Sequence, residues 1–252
     1  LMRAGLIEQD DLDTILIIDI HHIISDGTSS NVFVRDFIAV YENAEMLPLQ
    51  IQYKDFSRWQ NSNRETEAIK KQEIYWLEQF ADQIPVLNLP TDFPRPVVKS
   101  FAGGDVKFEI DAEETAAIEA FVLEHNVTLY MFLFSVYTIL LAKLSCREDM
   151  VVGTPTAGRM QPNLEPVIGM FVNTLCIRSF PGGEKRFIEL LQEMKRDILT
   201  AFAKQDFQFE ELVEKLGLKR DTGRNPLFDV MFVLQNLGAE EVKVPGLTLK
   251  TY

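Results

Sequence analysis

The apolar positions along the chain change period several times, and each change marks an element. Residues Gly5 to Gln9 and Thr14 to Ile24 read as two strands joined by the acidic turn Asp10-Asp11. The second is nearly all β-branched and apolar, so cover on both of its faces is expected. After Asp26-Gly27, the residues Val32, Phe33, Phe37, Val40 and Tyr41 recur at helical spacing, with Ser29 and Ser30 placed to cap the helix. A second helical stretch runs from about Tyr53 to Gln83. Pro85, Pro90, Pro94 and Pro96 then exclude a helix and mark a boundary between two lobes. Beyond them Val106, Phe108 and Ile110 alternate as a strand. Asp111 with Glu114 opens a helix from Ala112 to His125, and Thr128 caps a very apolar helix reaching Leu144. Met150 to Thr154 and Ile168 to Arg178 read as strands, Arg186 to Ala203 as an amphipathic helix and Phe207 to Leu216 as a shorter one. Strands at Phe228 to Gln235 and Leu247 to Tyr252 complete the set. Strands and helices interleave without a strict βαβ rhythm or a repeat, which predicts α/β or α+β lobes with mixed sheets.

Composition narrows the function classes. A chain of 252 residues, 46% apolar, can bury a real core and stands between one domain and two. Its 25 basic and 38 acidic side chains give a net charge of −13, which repels phosphate backbones and anionic membrane surfaces and argues against nucleic acid as a partner. Cys146 and Cys176 are the only cysteines, and neither lies at metal-ligand spacing from another Cys or His. That usage predicts no metal, no disulfide framework and a cytoplasmic location. The most apolar run, Leu129 to Ala142, is shorter than the ~20 residues of a membrane span and reads as a buried helix. The chain opens inside a strand without an initiator Met and closes inside another, so it is expected to be part of a longer polypeptide.

The candidate chemistry gathers at His21, His22, Asp26 and Gly27, where the second strand ends. Adjacent strand residues point to opposite faces, so one imidazole can meet a cavity while its neighbour supports the backbone. A neutral imidazole can accept a proton near cellular pH, Asp26 can orient the loop, and Gly27 permits a backbone closed to other residues. Taken alone, a histidine pair at a strand end is more often structural than catalytic. Other local signals are weaker. Gly153 to Arg159 spaces two glycines as a phosphate loop does, but it lacks the Lys-Ser/Thr that grips phosphate. The Lys185-Arg186 and Lys195-Arg196 pairs read as solvated helix faces.

His21-His22-Ile23-Ile24-Ser25-Asp26-Gly27 is an HHxxxDG signature, and the chain resembles the condensation domains of nonribosomal peptide synthetases. Four further blocks carry the resemblance in order. Tyr53 to Trp59 is similar to YxDFxxW, Ile168 to Arg178 to GxFVNTxxxR, Gln205 to Glu210 to QDYPFE, and Arg220 to Phe228 to RDxSRNPLF. Lys204, Gln208 and Gly223 depart from the family pattern at peripheral positions.

The resemblance implies a chloramphenicol acetyltransferase-like fold of two lobes, α/β with mixed sheets. Residues 1–84 would be the remainder of an N-terminal lobe, 85–99 a linker and 100–252 most of the C-terminal lobe. It implies amide-bond formation, in which an aminoacyl amine attacks an acyl or peptidyl thioester. His22 would act on the amine, as general base or as a positioning group. His21, Asp26, Gly27 and Arg178 would support it, with Asp26 paired to Arg178 and the Gly27 N–H available to an oxyanion. No cofactor would be bound directly, because the phosphopantetheine arms of upstream and downstream peptidyl carrier domains deliver both substrates. An adenylation domain would be adjacent. The two histidines speak against a heterocyclization domain, which carries aspartates there. An epimerization domain, a lipid-initiating starter domain and a noncatalytic carrier-binding module remain alternatives. By itself this stretch is expected to be weakly active or inactive, and to self-associate through apolar strand faces around Leu16, Ile18 and Ile20.

Overall fold

A computed structural model describes residues 1–10, 13–98, 100, 102–218 and 221–235. The strand expected at Leu247 to Tyr252 lies outside the described residues. The fold is α/β, with helices and two open sheets, and the chain divides into two compact units. The first takes in Leu1–Thr66 and Ala157–Val172, and the second Glu67–Thr156 and Asn173–Leu234.

In the first unit β1 (Met2–Asp10) and β2 (Asp13–Ile20) pair antiparallel, with Met2 opposite Ile20 and Leu6 opposite Leu16. Cover on both faces was expected of β2; among the described residues its sheet has the two strands β1 and β2, and Leu6, Ile7, Leu16 and Ile17 are exposed. A 3-10 turn, His22–Ile24, follows β2 where the sequence pattern extended the strand to Ile24. Helix α1 (Gly27–Tyr41) comes next. Its cap is Asp26, whose carboxylate accepts the Ser29 N–H of the first turn, and not Ser29 or Ser30. The expected helix from Tyr53 to Gln83 is two, α2 (Tyr53–Asn63) and α3 (Glu67–Gln79), broken by a turn at residues 64–66. A small core of Phe56, Leu164, Val167 and Phe171, with Ile51 and Tyr53 against it, holds residues 157–172 onto α2.

The second unit carries the main core. Helices α4 (Ala112–Glu124) and α5 (Leu129–Ser145) start at Asp111 and Thr128, each accepting an N–H from its third helical residue, as their sequence signals predict. Strand β3 (Met150–Thr156) lies between antiparallel β4 (Asn173–Ser179) and parallel β5 (Val230–Met231). Helix α5 packs on β3, α6 (Phe187–Phe202) on β4, and α7 (Phe209–Lys215) on α3 and β4, so β3 and β4 are buried almost throughout. The proline-rich stretch forms neither helix nor strand. It is strapped down nonetheless, with Leu87 buried and its N–H donated to Asp229.

Two strand expectations are corrected here. Among the described residues Val106 to Ile110 pairs with no strand, and Val106 and Phe108 are 93% and 83% exposed. Residues 168–172 are loop, and β4 begins only at Asn173, because the backbone of the preceding loop is engaged by side chains of the first unit.

Candidate active site

The two histidines sit on one tight turn with opposite hydrogen-bond roles. His22 Nδ1 lies 2.7 Å from the carbonyl oxygen of Ser25. A carbonyl oxygen can only accept, so Nδ1 carries the hydrogen and the neutral ring keeps its lone pair on Nε2. His21 is the reverse. Its Nδ1 accepts the N–H of Ile23 at 3.0 Å, which places the ring hydrogen on Nε2 and makes His21 the cap of the turn. Both histidines are exposed residues.

Four residues on, Asp26 is almost fully enclosed and saturated with donors. Its Oδ1 takes the N–H of Ser29 at 2.8 Å and lies 2.8 Å from the Ser29 hydroxyl. Its Oδ2 takes Arg159 Nη1 at 2.6 Å and the N–H of Phe171 at 3.1 Å. Burial alone would raise the carboxyl pKa, but the Arg159 guanidinium, the Ser29 N–H and hydroxyl, and the Phe171 N–H outweigh it and hold it below the usual carboxylate value. Arg159 also reaches the Ser29 hydroxyl and the Val167 carbonyl, and its guanidinium carbon stands 4.1 Å from the centre of the Phe171 ring. Such stacking suits a planar, delocalised cation.

The expected pairing of Asp26 with Arg178 is therefore corrected: Asp26 is paired with Arg159. Arg178 has other work in the second unit. It grips Asp149 with Nε at 2.9 Å and Nη2 at 2.7 Å, meets Asp82 with Nη1 at 2.5 Å, and donates to the carbonyls of Gln79 and Gln83. Gln79 ends α3, so Arg178 closes the C-terminus of that helix and ties it to the start of β3. The reason expected for Gly27 is corrected as well. Its φ is not among the positive ones, and a Cβ built there meets nothing within 4 Å, so the backbone does not require glycine. Gly27 is exposed and is the first residue of α1; the Asp26 carboxylate caps Ser29 and leaves the Gly27 N–H unengaged.

Sequence reasoning passes over Arg159, because Gly153 to Arg159 reads there only as a failed phosphate loop. The available signal is a lone arginine after Gly158, a residue with φ +65° whose Cβ would fall 2.0 Å from the Phe171 carbonyl oxygen. That close approach lays Arg159 along residues 167–171. Among the described residues no group of three or more His, Cys, Asp or Glu could hold a metal ion.

The family model of the condensation domain matches residues 1–251. The chain belongs to the condensation domain family. Over 252 residues this condensation domain sequence is 48% identical to tyrocidine synthase 3 of Brevibacillus parabrevis, covering 100% of this chain and 4% of that protein. It is 45% identical over 252 residues to bacitracin synthase 3 of Bacillus licheniformis, again covering 100% and 4%. Its structure is similar to the teicoplanin biosynthesis X-domain solved in complex with OxyB, with a TM-score of 0.84, 26% identity, and 91% and 53% of the two chains covered. A four-domain nonribosomal peptide synthetase bound to AMP and glycine shares the fold, with a TM-score of 0.84 at 24% identity over 95% of this chain and 18% of that one. The chain thus spans a small part of the synthetases it matches and about half of a solved condensation-type chain. Condensation domains of nonribosomal peptide synthetases catalyse amide-bond formation.

Proposed function

We propose that this chain supplies the reacting histidine for amide-bond formation between two carrier-bound substrates. The observation that carries the reading is the His22 tautomer: an Nε2 lone pair on an exposed residue, fixed by the Nδ1 bond to Ser25, close in sequence to a buried and fully satisfied Asp26. The α-amine of an aminoacyl thioester attacks the carbonyl carbon of the donor thioester. A C–N bond forms, the C–S bond breaks, and the proton lost by the amine reaches the departing thiolate. His22 Nε2 receives the amine N–H, either as base or as the hydrogen-bond acceptor that orients the nucleophile. The Gly27 N–H is available to the developing oxyanion. His21 and Asp26 act through the backbone they fix.

Both substrates would arrive on the phosphopantetheine arms of upstream and downstream peptidyl carrier domains, with an adenylation domain adjacent, so no cofactor of the chain's own is required. Residues 1–84 would belong to one lobe and 100–252 to the other, with 85–99 between them. Among the described residues no single helix is long and apolar enough to cross a membrane, the acidic charge argues against nucleic acid, and the cysteine usage suits a cytoplasmic location. The exposed strand faces favour self-association of the isolated chain.

A second reading, a recruiting module without chemistry, is favoured only by the likeness to the X-domain seen in complex with OxyB. One experiment separates the two. In the full-length protein carrying this sequence, His22→Ala is expected to lower product transfer between loaded carriers by about 10²–10⁴, the range of a lost acid-base contribution, with the fold intact by circular dichroism. Transfer at the unsubstituted rate would overturn the catalytic reading.

A further inference from the structure

Residues 169–171 are held from two sides, and only one side belongs to the histidine loop. From that side Ser29 Oγ accepts the Gly169 N–H at 3.0 Å and lies 2.8 Å from the Gly169 carbonyl, while Asp26 Oδ2 accepts the Phe171 N–H. The serine hydroxyl has a single hydrogen and two acceptors at 2.8 Å, the Asp26 carboxylate and the Gly169 carbonyl. The ionised carboxylate is the stronger acceptor, so Ser29 alone does not fix the plane of the Gly169 carbonyl.

The other side is Tyr53, at the first position of α2. Its hydroxyl donates to the Met170 carbonyl at 2.8 Å. Its ring stands edge-on to Phe171, with centroids 5.0 Å apart at 85°. A Cβ on Gly169 would fall 2.1 Å from Tyr53 Cδ2, so the ring occupies the space a side chain at 169 would need. Three consecutive residues thus lean on one aromatic side chain.

We propose that Tyr53 is a positioning residue for His22, acting through residues 169–171 and the Asp26 carboxylate. The inference rests on the assignment of His22 as the reacting histidine. The path is short. Tyr53 fixes Met170, the neighbouring N–H of Phe171 fixes Asp26 Oδ2, Asp26 caps α1, and the residue before Asp26 holds His22 Nδ1 through its carbonyl. Burial, and then the nearby Asp26 charge, raise the Tyr53 pKa, which keeps the phenol a donor across the working pH range.

Tyr53→Phe in the full-length protein removes one oxygen and leaves the ring. The expected result is a fall in kcat for transfer between loaded carriers of about 5–10-fold, the scale of one net hydrogen bond. KM for each loaded carrier stays within about twofold, because no substrate contact is lost. Leu164→Val loosens the same small core without touching the hydroxyl, and it is expected to lower the melting temperature while leaving kcat unchanged. Unchanged kcat in Tyr53→Phe, or a fall matched by Leu164→Val at equal loss of stability, overturns the proposal. Should Tyr53→Phe not fold, Gly169→Ala, whose methyl displaces the ring, is read in its place by the same criteria. Loss of transfer in His22→Ala with none in Tyr53→Phe removes only this inference, whereas full transfer in His22→Ala removes the reading beneath it.

Discussion

Arg159 Nη1 lies 2.6 Å from Asp26 Oδ2, and the two side chains are 3% and 1% exposed. An ion pair this deep is expensive to half-remove, because the surviving charge stays in the interior without a partner. Asp26→Ala is therefore expected to destabilise the chain by about 3–5 kcal/mol in equilibrium urea unfolding. A loss no larger than that of an exposed substitution would show that Arg159 escapes to water.

The same carboxylate sets an acid dependence. Its folded pKa lies below the unfolded value, so its stabilising contribution is complete above about pH 4, near the ordinary Asp pKa, and is lost as pH falls through the folded value. Asp26→Asn, already uncharged, is expected to flatten that part of the stability profile. Unfolding free energies measured between about pH 2 and 6 in both proteins check the sign.

Arg178 offers a contrast. Its own side chain is buried, but its partners Asp82 and Asp149 are 74% and 36% exposed, so removing the arginine releases carboxylates that can rehydrate. Arg178→Ala is expected to cost about 1.5–3 kcal/mol, the scale of charged hydrogen bonds, and less than Asp26→Ala. Asp149→Ala should cost more than Asp82→Ala, because Asp149 is gripped by two nitrogens of the fork. Urea unfolding of the three variants ranks them.

Two glycines should behave oppositely. Gly158→Ala must adopt φ +65° and meets the Phe171 carbonyl oxygen, so it should lose about 1–2 kcal/mol from the backbone alone, before the clash is counted. Gly27→Ala meets nothing, and its unfolding midpoint should not move. A fall in transfer rate for Gly27→Ala at unchanged stability would locate substrate, and not fold, against that Cα.

The two thiols should differ as well. Cys146 is exposed, whereas Cys176 is buried in β4 and its thiol pKa is pushed far upward by desolvation. Titration of this chain with an aromatic disulfide reagent is expected to modify one thiol in the native state and a second only after denaturation.

Helices announced themselves well where side-chain caps start them, as at Asp111 and Thr128, because capping and apolar spacing are local properties. Among the described residues the alternation at Val106 to Ile110 meets no partner edge, and no pattern within five residues reports whether one will accept it. At the site, the histidine turn was legible as a motif. Its ion pair was not, because Asp26 and Arg159 are 133 positions apart and the motif pattern pointed to Arg178. Ser29 reads as a cap in the sequence, whereas its hydroxyl, fully buried, joins Asp26, Arg159 and Gly169.

The opposed tautomers of the two histidines bear on the role proposed for His22. When His22 takes a proton on Nε2, the Nδ1–H bond to Ser25 survives unchanged, and the cation even strengthens it. A proton on His21 Nδ1 would instead fill the lone pair that holds the Ile23 N–H, leaving the turn to its backbone bonds from Ile24 and Ser25. Of the two neighbouring rings, only His22 can receive a proton or a hydrogen bond on its outer nitrogen without giving up the bond that anchors it to the turn.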